Sequence, residues 1–231
     1  MRGVIFGSLV LMLAGCATYQ LPAPQEFEAG EPLRVNGRQG WAKKAISFGE
    51  YEARDINRGW VRGRGWEIAG FKSHKNAQPF NYILASSGTP VWFVECAFFT
   101  DDKSIGMAKG VEIEFKDKSQ LQCAISPAAA DAATAPLRLE LNSDDDNKPM
   151  AGSLSGAHTL EVQGIGMVRD GKRGPTGGFY LRQDGRPVAT VEVANSGRVI
   201  LARDAAPATR DLSAAVAAAL LLIDESLRDQ S

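Results

Sequence analysis

The chain reads as mainly β: an antiparallel barrel of about 12 strands enclosing a hydrophobic C-terminal helix. Two observations lead there. After residue 33, about thirteen short runs alternate apolar and polar residues with period two, separated by Gly, Asp, Asn and Pro. Then Ala214 to Ile223 is an unbroken apolar run, AAVAAALLLI, that leaves a helix over 209–228 no polar face. A helix apolar all round is buried on every side or sits in a membrane, and this run is well short of the roughly 20 residues that span a bilayer. A sheet curled around the helix is the natural container. A β-sandwich or an open sheet with one packed helix is the alternative, but one-sided packing leaves part of Ala214 to Ile223 in water.

At 231 residues and 44% hydrophobic, the chain has material for a real core. Its formal net charge of -1, from 26 basic and 27 acidic residues, implies no bulk attraction to nucleic acid, so any anion binding needs a local patch.

The elements follow in order. Arg2, the apolar run Val4 to Leu13 and then Leu13-Ala14-Gly15-Cys16 have the order of a secretory signal over residues 1–15. The LAGC tetrapeptide resembles the lipobox of bacterial lipoproteins. That resemblance implies cleavage before Cys16, lipidation of Cys16 and attachment to the cell envelope. Ala17 stands where this family carries the Asp that retains lipoproteins in the inner membrane, which points to the outer membrane, with the domain facing the periplasm. Residues 16–32 then read as the lipidated cysteine and a flexible tether, ATYQLPAPQEFEAGEP, with a reach of up to about 50 Å if extended.

Residues 33–231 form a single barrel-like domain. Expected strands are Lys44–Phe48, Tyr51–Ile56, Trp60–Phe71, Phe80–Ser86, Val91–Thr100, Gly110–Lys116, Ser119–Ser126, Leu137–Leu141, Met150–Leu154, Thr159–Gln163, Gly178–Gln183, Arg186–Ala194 and Arg198–Arg203. Val111, Ile113 and Phe115 continue across Asp117-Lys118 into Leu121, Cys123 and Ile125, the pattern of a hairpin. Asp184-Gly185 and Asn195-Ser196-Gly197 tolerate positive φ and join the last three strands into a meander. Val91 to Phe99 is apolar on both faces except at Glu95, as a strand covered on both sides is. Asn142–Lys148 and Asp170–Gly178 read as exposed loops. Thr209 suits the helix N-cap, Asp211 its first turn and Arg228 its last.

The meander GFYLRQDGRPVATVEVANSGRVILAR, followed by the helix closing in Leu221-Leu222-Ile223-Asp224-Glu225, is similar to the tubby-like fold shared with phospholipid scramblases. The resemblance implies a closed barrel threaded by its last helix and action at membranes or on acidic phospholipids. It is one of pattern, and maps no binding residue of that family onto this chain.

Cys96 and Cys123 remain once Cys16 is acylated. In an oxidising compartment they read as one disulfide, or otherwise as two buried thiols. The richest constellation is RDINRGWVRGRGWEIAGF, Arg54 to Phe71. If Trp60 to Ile68 is one strand, Trp60, Arg62, Arg64 and Trp66 share a face, with Arg58 extending it. Guanidiniums between indoles offer forked donors and a flat platform for an anionic head group. The same residues also suit simple cation–π stacking on a barrel exterior.

Other motifs fail on chemistry. Asp144-Asp145-Asp146-Asn147 lacks the glycine an EF-hand turn needs. Gly166 to Lys172 begins like a phosphate loop, but Arg173 replaces the Ser or Thr and Pro175 follows where a helix must start. His74 and His158 stand in no metal spacing. No catalytic constellation, metal site or cofactor motif is legible. The expectation is a non-enzymatic envelope lipoprotein that binds an acidic phospholipid or an envelope protein. A lipid or cell-wall hydrolase and a structural subunit of an envelope assembly are the alternatives.

Overall fold

A computed structural model describes residues 20–38, 45–59, 66–68, 71–73, 77–101, 118–129, 134–143, 148–169 and 172–223. Its strands are β1 (Leu33–Arg34), β2 (Ile46–Phe48), β3 (Tyr51–Arg58), β4 (Trp66–Ile68), β5 (Phe71–Ser73), β6 (Ala77–Ser86), β7 (Thr89–Asp101), β8 (Lys118–Pro127), β9 (Leu137–Ser143), β10 (Ala151–Ser155), β11 (Leu160–Arg169), β12 (Lys172–Gln183), β13 (Arg186–Glu192) and β14 (Arg198–Leu201). One helix follows, α1 (Pro207–Leu222).

Twelve strands form one antiparallel sheet in the order β1-β14-β13-β12-β11-β10-β9-β8-β7-β6-β3-β2. The sheet is a nearly closed barrel. Just past β1, Asn36 and Ser47 of β2 exchange backbone hydrogen bonds of 2.8 and 3.0 Å, and among the described residues this bridge is the closing seam. Period two explains the walls. On β9, Leu137, Leu139, Leu141 and Ser143 are buried while Arg138, Glu140 and Asn142 are exposed; β13, buried at every position from Pro187 to Glu192, does not alternate.

The lumen belongs to α1. Every residue from Leu212 to Leu222 is buried, as the all-apolar run requires. Tyr82 on β6 donates to the Ala215 carbonyl at 2.6 Å and pins the helix at mid-height. The helix differs in its limits from the expected 209–228. It begins at Pro207, whose missing N–H costs nothing at N1 and whose φ is preset for helix, and it ends at Leu222, with Ile223 already extended. Thr209 is therefore no N-cap: its hydroxyl donates to Gln183 Oε1 at 3.0 Å. Asp211 lies beyond the first turn and accepts from the Tyr51 hydroxyl at 2.8 Å. Arg228 lies outside the described residues.

Four further expectations are corrected. Trp60–Phe71 is not one strand: β4 and β5 pair with each other, Trp66 with Ser73 and Ile68 with Phe71, in a separate two-stranded sheet. A strand has two edges, and β3 has already given its own to β2 and β6, so β4 and β5 cannot be staves between them. The hairpin of Gly110–Lys116 with Ser119–Ser126 fails likewise, because β8 is paired along both edges, with β7 and β9; Gly110–Lys116 itself lies outside the described residues. The Asp170–Gly178 loop is mostly strand, since β12 starts at Lys172. Its pairing with β11 shifts register around Gly166, and such a bulge accommodates a strand proline such as Pro175. Finally, β7 is covered on its outer face only in part: Ala97 is buried there and β4 touches the strand, but Phe93 is 38% exposed.

The barrel has two unlike ends. At the lower end are the two-residue turns Gly49-Glu50, Ser87-Gly88 and Asp184-Gly185, and the start of α1. At the upper end β3 finishes and β6 begins, β7 finishes and β8 begins, and α1 ends.

Residues 20–32 correct the tether. They are not free but docked as a strap on the outer wall. The Leu21 N–H donates to Glu192 Oε2 at 3.0 Å, Tyr180 donates to the Pro22 carbonyl at 2.8 Å, Arg203 N–H to the Glu28 carbonyl at 2.8 Å, and Gly30 N–H to the Leu201 carbonyl at 2.9 Å. Leu21 is 7% exposed and lies where Gly178 has no Cβ; a methyl there would come within 2.7 Å of it. The strap thus enters beside Glu192 and Gly178, at mid-height of β12, descends to Ala29, which bridges Ala202 at the lower end, and returns upward as β1.

Candidate functional site

Among the described residues, helix and side chains fill the lumen, which leaves the outer wall and the rims as surfaces a ligand can meet. The outer wall is polar, with Glu52, Arg138, Glu140, Glu161 and Gln163 exposed, whereas a strand wall facing lipid carries an apolar band. No described helix is long and apolar enough to cross a membrane.

The concavity that coincides with the expected patch lies on this wall, near the upper end of β3. Asn57, Arg58, Gly59, Pro79, Phe80, Asn81 and Glu95 line a groove of about 290 Å³. A bulge makes it. Between Arg54 and Asn57 the register of β3 against β6 slips, with Asp55 at a φ of 55°, a conformation an aspartate accepts more readily than most residues. Asn57 Nδ2 then donates to the Asp55 carbonyl at 3.0 Å and to Asn81 Oδ1 at 3.2 Å. Gly59 N–H donates to the Pro79 carbonyl at 2.8 Å and fixes the point where the chain departs. The result is an exposed Arg58 at the groove's edge and Pro79 on its apolar side, with Phe80 turned into the core at 3% exposed and the half-buried Glu95 carboxylate in the lining. The groove thus sets one forked cationic donor and one carboxylate beside a small apolar surface, and Arg58 is the group that can meet an anion.

Of the other patch residues, Trp60, Arg62 and Arg64 lie outside the described residues, and Trp66 opens β4. The structure therefore places Arg58 at a groove and Trp66 at the start of β4, in the two-stranded sheet that touches β7. Cys16 lies outside the described residues, as do His74 and Asp144–Asn147; His158 is exposed in a turn. Gly166 to Lys172 spans the β11–β12 hairpin, not the strand-to-helix turn a phosphate loop needs. Among the described residues no three His, Cys, Asp or Glu side chains gather as a metal site. Cys96 and Cys123 sit opposite each other on β7 and β8, inside the barrel, with Cα atoms 4.0 Å apart and a disulfide between them.

Two polar anchors escaped the sequence reading. Arg38, just beyond the seam, donates Nε to the Leu221 carbonyl at 3.0 Å and Nη1 to the carbonyls of Val193 and Asn195. It supplies from a distant part of the chain the cation that helix ends attract, where the last turn of α1 has none. Glu192, 7% exposed, pairs with Arg198 at 2.7 Å and holds the strap by the Leu21 N–H. At the lower end, burial first and then the Asp211 hydrogen bond push the Tyr51 hydroxyl well above the usual tyrosine range. Burial likewise raises Tyr82 and Tyr180.

Comparison with family models, with curated proteins and with solved structures finds no match for this chain.

Proposed function

We propose that the protein is a non-enzymatic, membrane-anchored lipoprotein of the bacterial envelope, acylated at Cys16, whose barrel recognises anionic lipid head groups at the membrane surface. The observation that carries it is the coincidence of two features at one place. The barrel's own helix occupies the lumen, leaving outer surfaces for recognition, and the groove with Arg58 lies where the chain enters the segment containing Trp60, Arg62, Arg64 and Trp66. Guanidinium donors beside apolar and indole surfaces match a phosphate on an acyl stem, since the fork takes two oxygens and the ring tolerates the interface. A water-facing barrel in the tubby-like manner, held at a membrane by lipid, fits the same theme.

Flotation with vesicles tests it. Cys16→Ser protein, which lacks the acyl anchor, is mixed with neutral or phosphatidylglycerol-containing vesicles at low and high salt. The expected result is binding to the anionic vesicles alone, weakened by salt because exposed charges are screened within about 8–10 Å. It should fall several-fold in Arg58→Ala and vanish in Arg62→Ala with Arg64→Ala. Equal binding to both vesicle types, or none to either, would overturn lipid recognition and turn the search to a protein partner.

A further inference from the structure

The docked strap limits how far the barrel can stand from a lipid anchor. Resting on the assignment of Cys16 as the acylated residue, we infer that the strap holds the barrel within about 20 Å of the leaflet that carries Cys16, so that what the protein recognises lies on that same leaflet and not on an opposing surface.

A free tether from Cys16 to Pro32 reaches about 50 Å. Docking takes up most of that length. Leu21 is buried against Gly178 at mid-height of β12 and donates its N–H to Glu192, and Tyr180 holds the Pro22 carbonyl. Farther along, Arg203 donates from its N–H to the Glu28 carbonyl and from Nη2 to the Ala29 carbonyl, and the Gly30 N–H donates to the Leu201 carbonyl. Bonds thus recur from Leu21 to Gly30, and fraying at one end does not free the other. Beside these attachments the outward side chains of β13, Val188, Thr190 and Glu192, are buried, which is why that strand does not alternate. Undocking exposes Leu21 and takes from the buried Glu192 carboxylate its backbone donor, so the docked strap is the resting state. What remains between Cys16 and Leu21 spans at most about 18 Å at 3.3–3.6 Å per residue. Because Leu21 sits at mid-height, that limit holds whichever end or side of the barrel turns to the membrane. The 13 residues of β7 make about 40 Å of strand, so the link is shorter than half the barrel itself. A recognition surface on the barrel is therefore carried along the leaflet, and not out from it as on a free tether.

Neutron reflectometry tests this on full-length acylated protein in a supported bilayer of phosphatidylcholine, whose neutral head groups leave the height to be set by the chain. The wild type should form a layer separated from the head groups by less than about 20 Å of water. Leu21→Asp sets a second carboxylate beside Glu192 and undocks the strap, and should broaden the layer outward by about 20 Å, the mean span of a free chain of that length. Inserting a dozen Gly and Ser residues between Thr18 and Tyr19, ahead of the strap, should do the same with the docked barrel untouched. A wild-type layer standing farther off overturns the inference. So does a Leu21→Asp layer that keeps the wild-type height while the insertion moves outward, since the strap would then not set the distance. An insertion layer that does not move also overturns it, because something other than the link would hold the barrel. Protein that washes off as readily as Cys16→Ser protein overturns the anchor, and this inference with it. Recognition of anionic lipid is read separately, by flotation, and stands or falls on that result alone.

Discussion

The two ends of the barrel are built to different plans. The lower end is sewn tight: Ser87-Gly88 and Asp184-Gly185 are two-residue turns with both residues at positive φ, a twist that matches the strands they join. Below them the helix starts on Pro207, and Tyr51 and Gln183 hold its first turns through Asp211 and Thr209. The upper end is open in sequence. There the chain leaves for residues 39–44, 59–76 and 102–117, while Arg38 holds the helix end and a single Asn36–Ser47 bridge closes the wall. One end thus closes on tight turns, and the other, among the described residues, on one bridge and one cation at the seam. The difference teaches that closure of the two ends rests on unlike contacts.

The sharpest way to break this contrast is through the element both ends share. Ala217 is fully buried at the middle of α1. Ala217→Asp places an unpaired charge in the core, which costs more than about 4 kcal/mol. Chemical denaturation should show the domain unfolded, or unfolding in one transition far below wild type, since both ends lean on the helix. Two separate transitions would mean that the ends are independent units. Position 217 is preferred over Leu221, where Arg38 stands close enough to pair with a new carboxylate. The next effect is smaller. Reducing Cys96–Cys123, or replacing both by Ala, releases a loop of 27 residues and should cost about 3–4 kcal/mol on loop entropy. That loop contains 102–117, so hydrogen exchange should quicken at the upper ends of β7 and β8 more than at Ser87-Gly88. Uniform quickening would show that the disulfide stabilises the barrel as a whole and not the upper end.

Much of this fold was legible because its two rules are local. Period-two alternation reports which face is buried whatever the partner strand, as Leu137, Leu139 and Leu141 do, and the run Ala214 to Ile223 declares burial on all sides by itself. What escaped were relations between distant segments. That β8 pairs with β7 and β9, and not with 110–116, depends on which edges are already taken, and no alternation records that. From sequence the strap resembles a tether because it docks largely through backbone groups, at Leu21, Pro22, Glu28 and Gly30, in a stretch whose prolines and glutamates look solvated. Arg38 carries no signal at all, since its partners are carbonyls near position 193 and at position 221. Of the candidate site, sequence placed Arg58 in a cationic stretch, but the groove beside it comes from a bulge at Asp55 that only pairing with β6 defines.

The smallest effects compare the two ends directly. Arg38→Ala removes a charged donor from the carbonyls at the upper end of α1 and should cost about 2 kcal/mol. Tyr51→Phe removes one hydrogen bond to Asp211 at the lower end and should cost about 1 kcal/mol. The two separate further by pH. Tyr51 is held neutral in the fold, so above 10.0, the ordinary tyrosine value, the unfolded chain sheds a proton that the folded one keeps. Fewer protons are then bound unfolded than folded, and stability falls as pH rises, by up to about 1.4 kcal/mol per pH unit for each such tyrosine. Wild type and Arg38→Ala should share this alkaline slope, while Tyr51→Phe should show a shallower one, with Tyr82 and Tyr180 supplying what remains. If Arg38→Ala flattened the slope and Tyr51→Phe did not, Tyr51 would not be the source of it. If no variant changed it, Tyr51 would already be open to water, and the lower end would be no tighter than the upper.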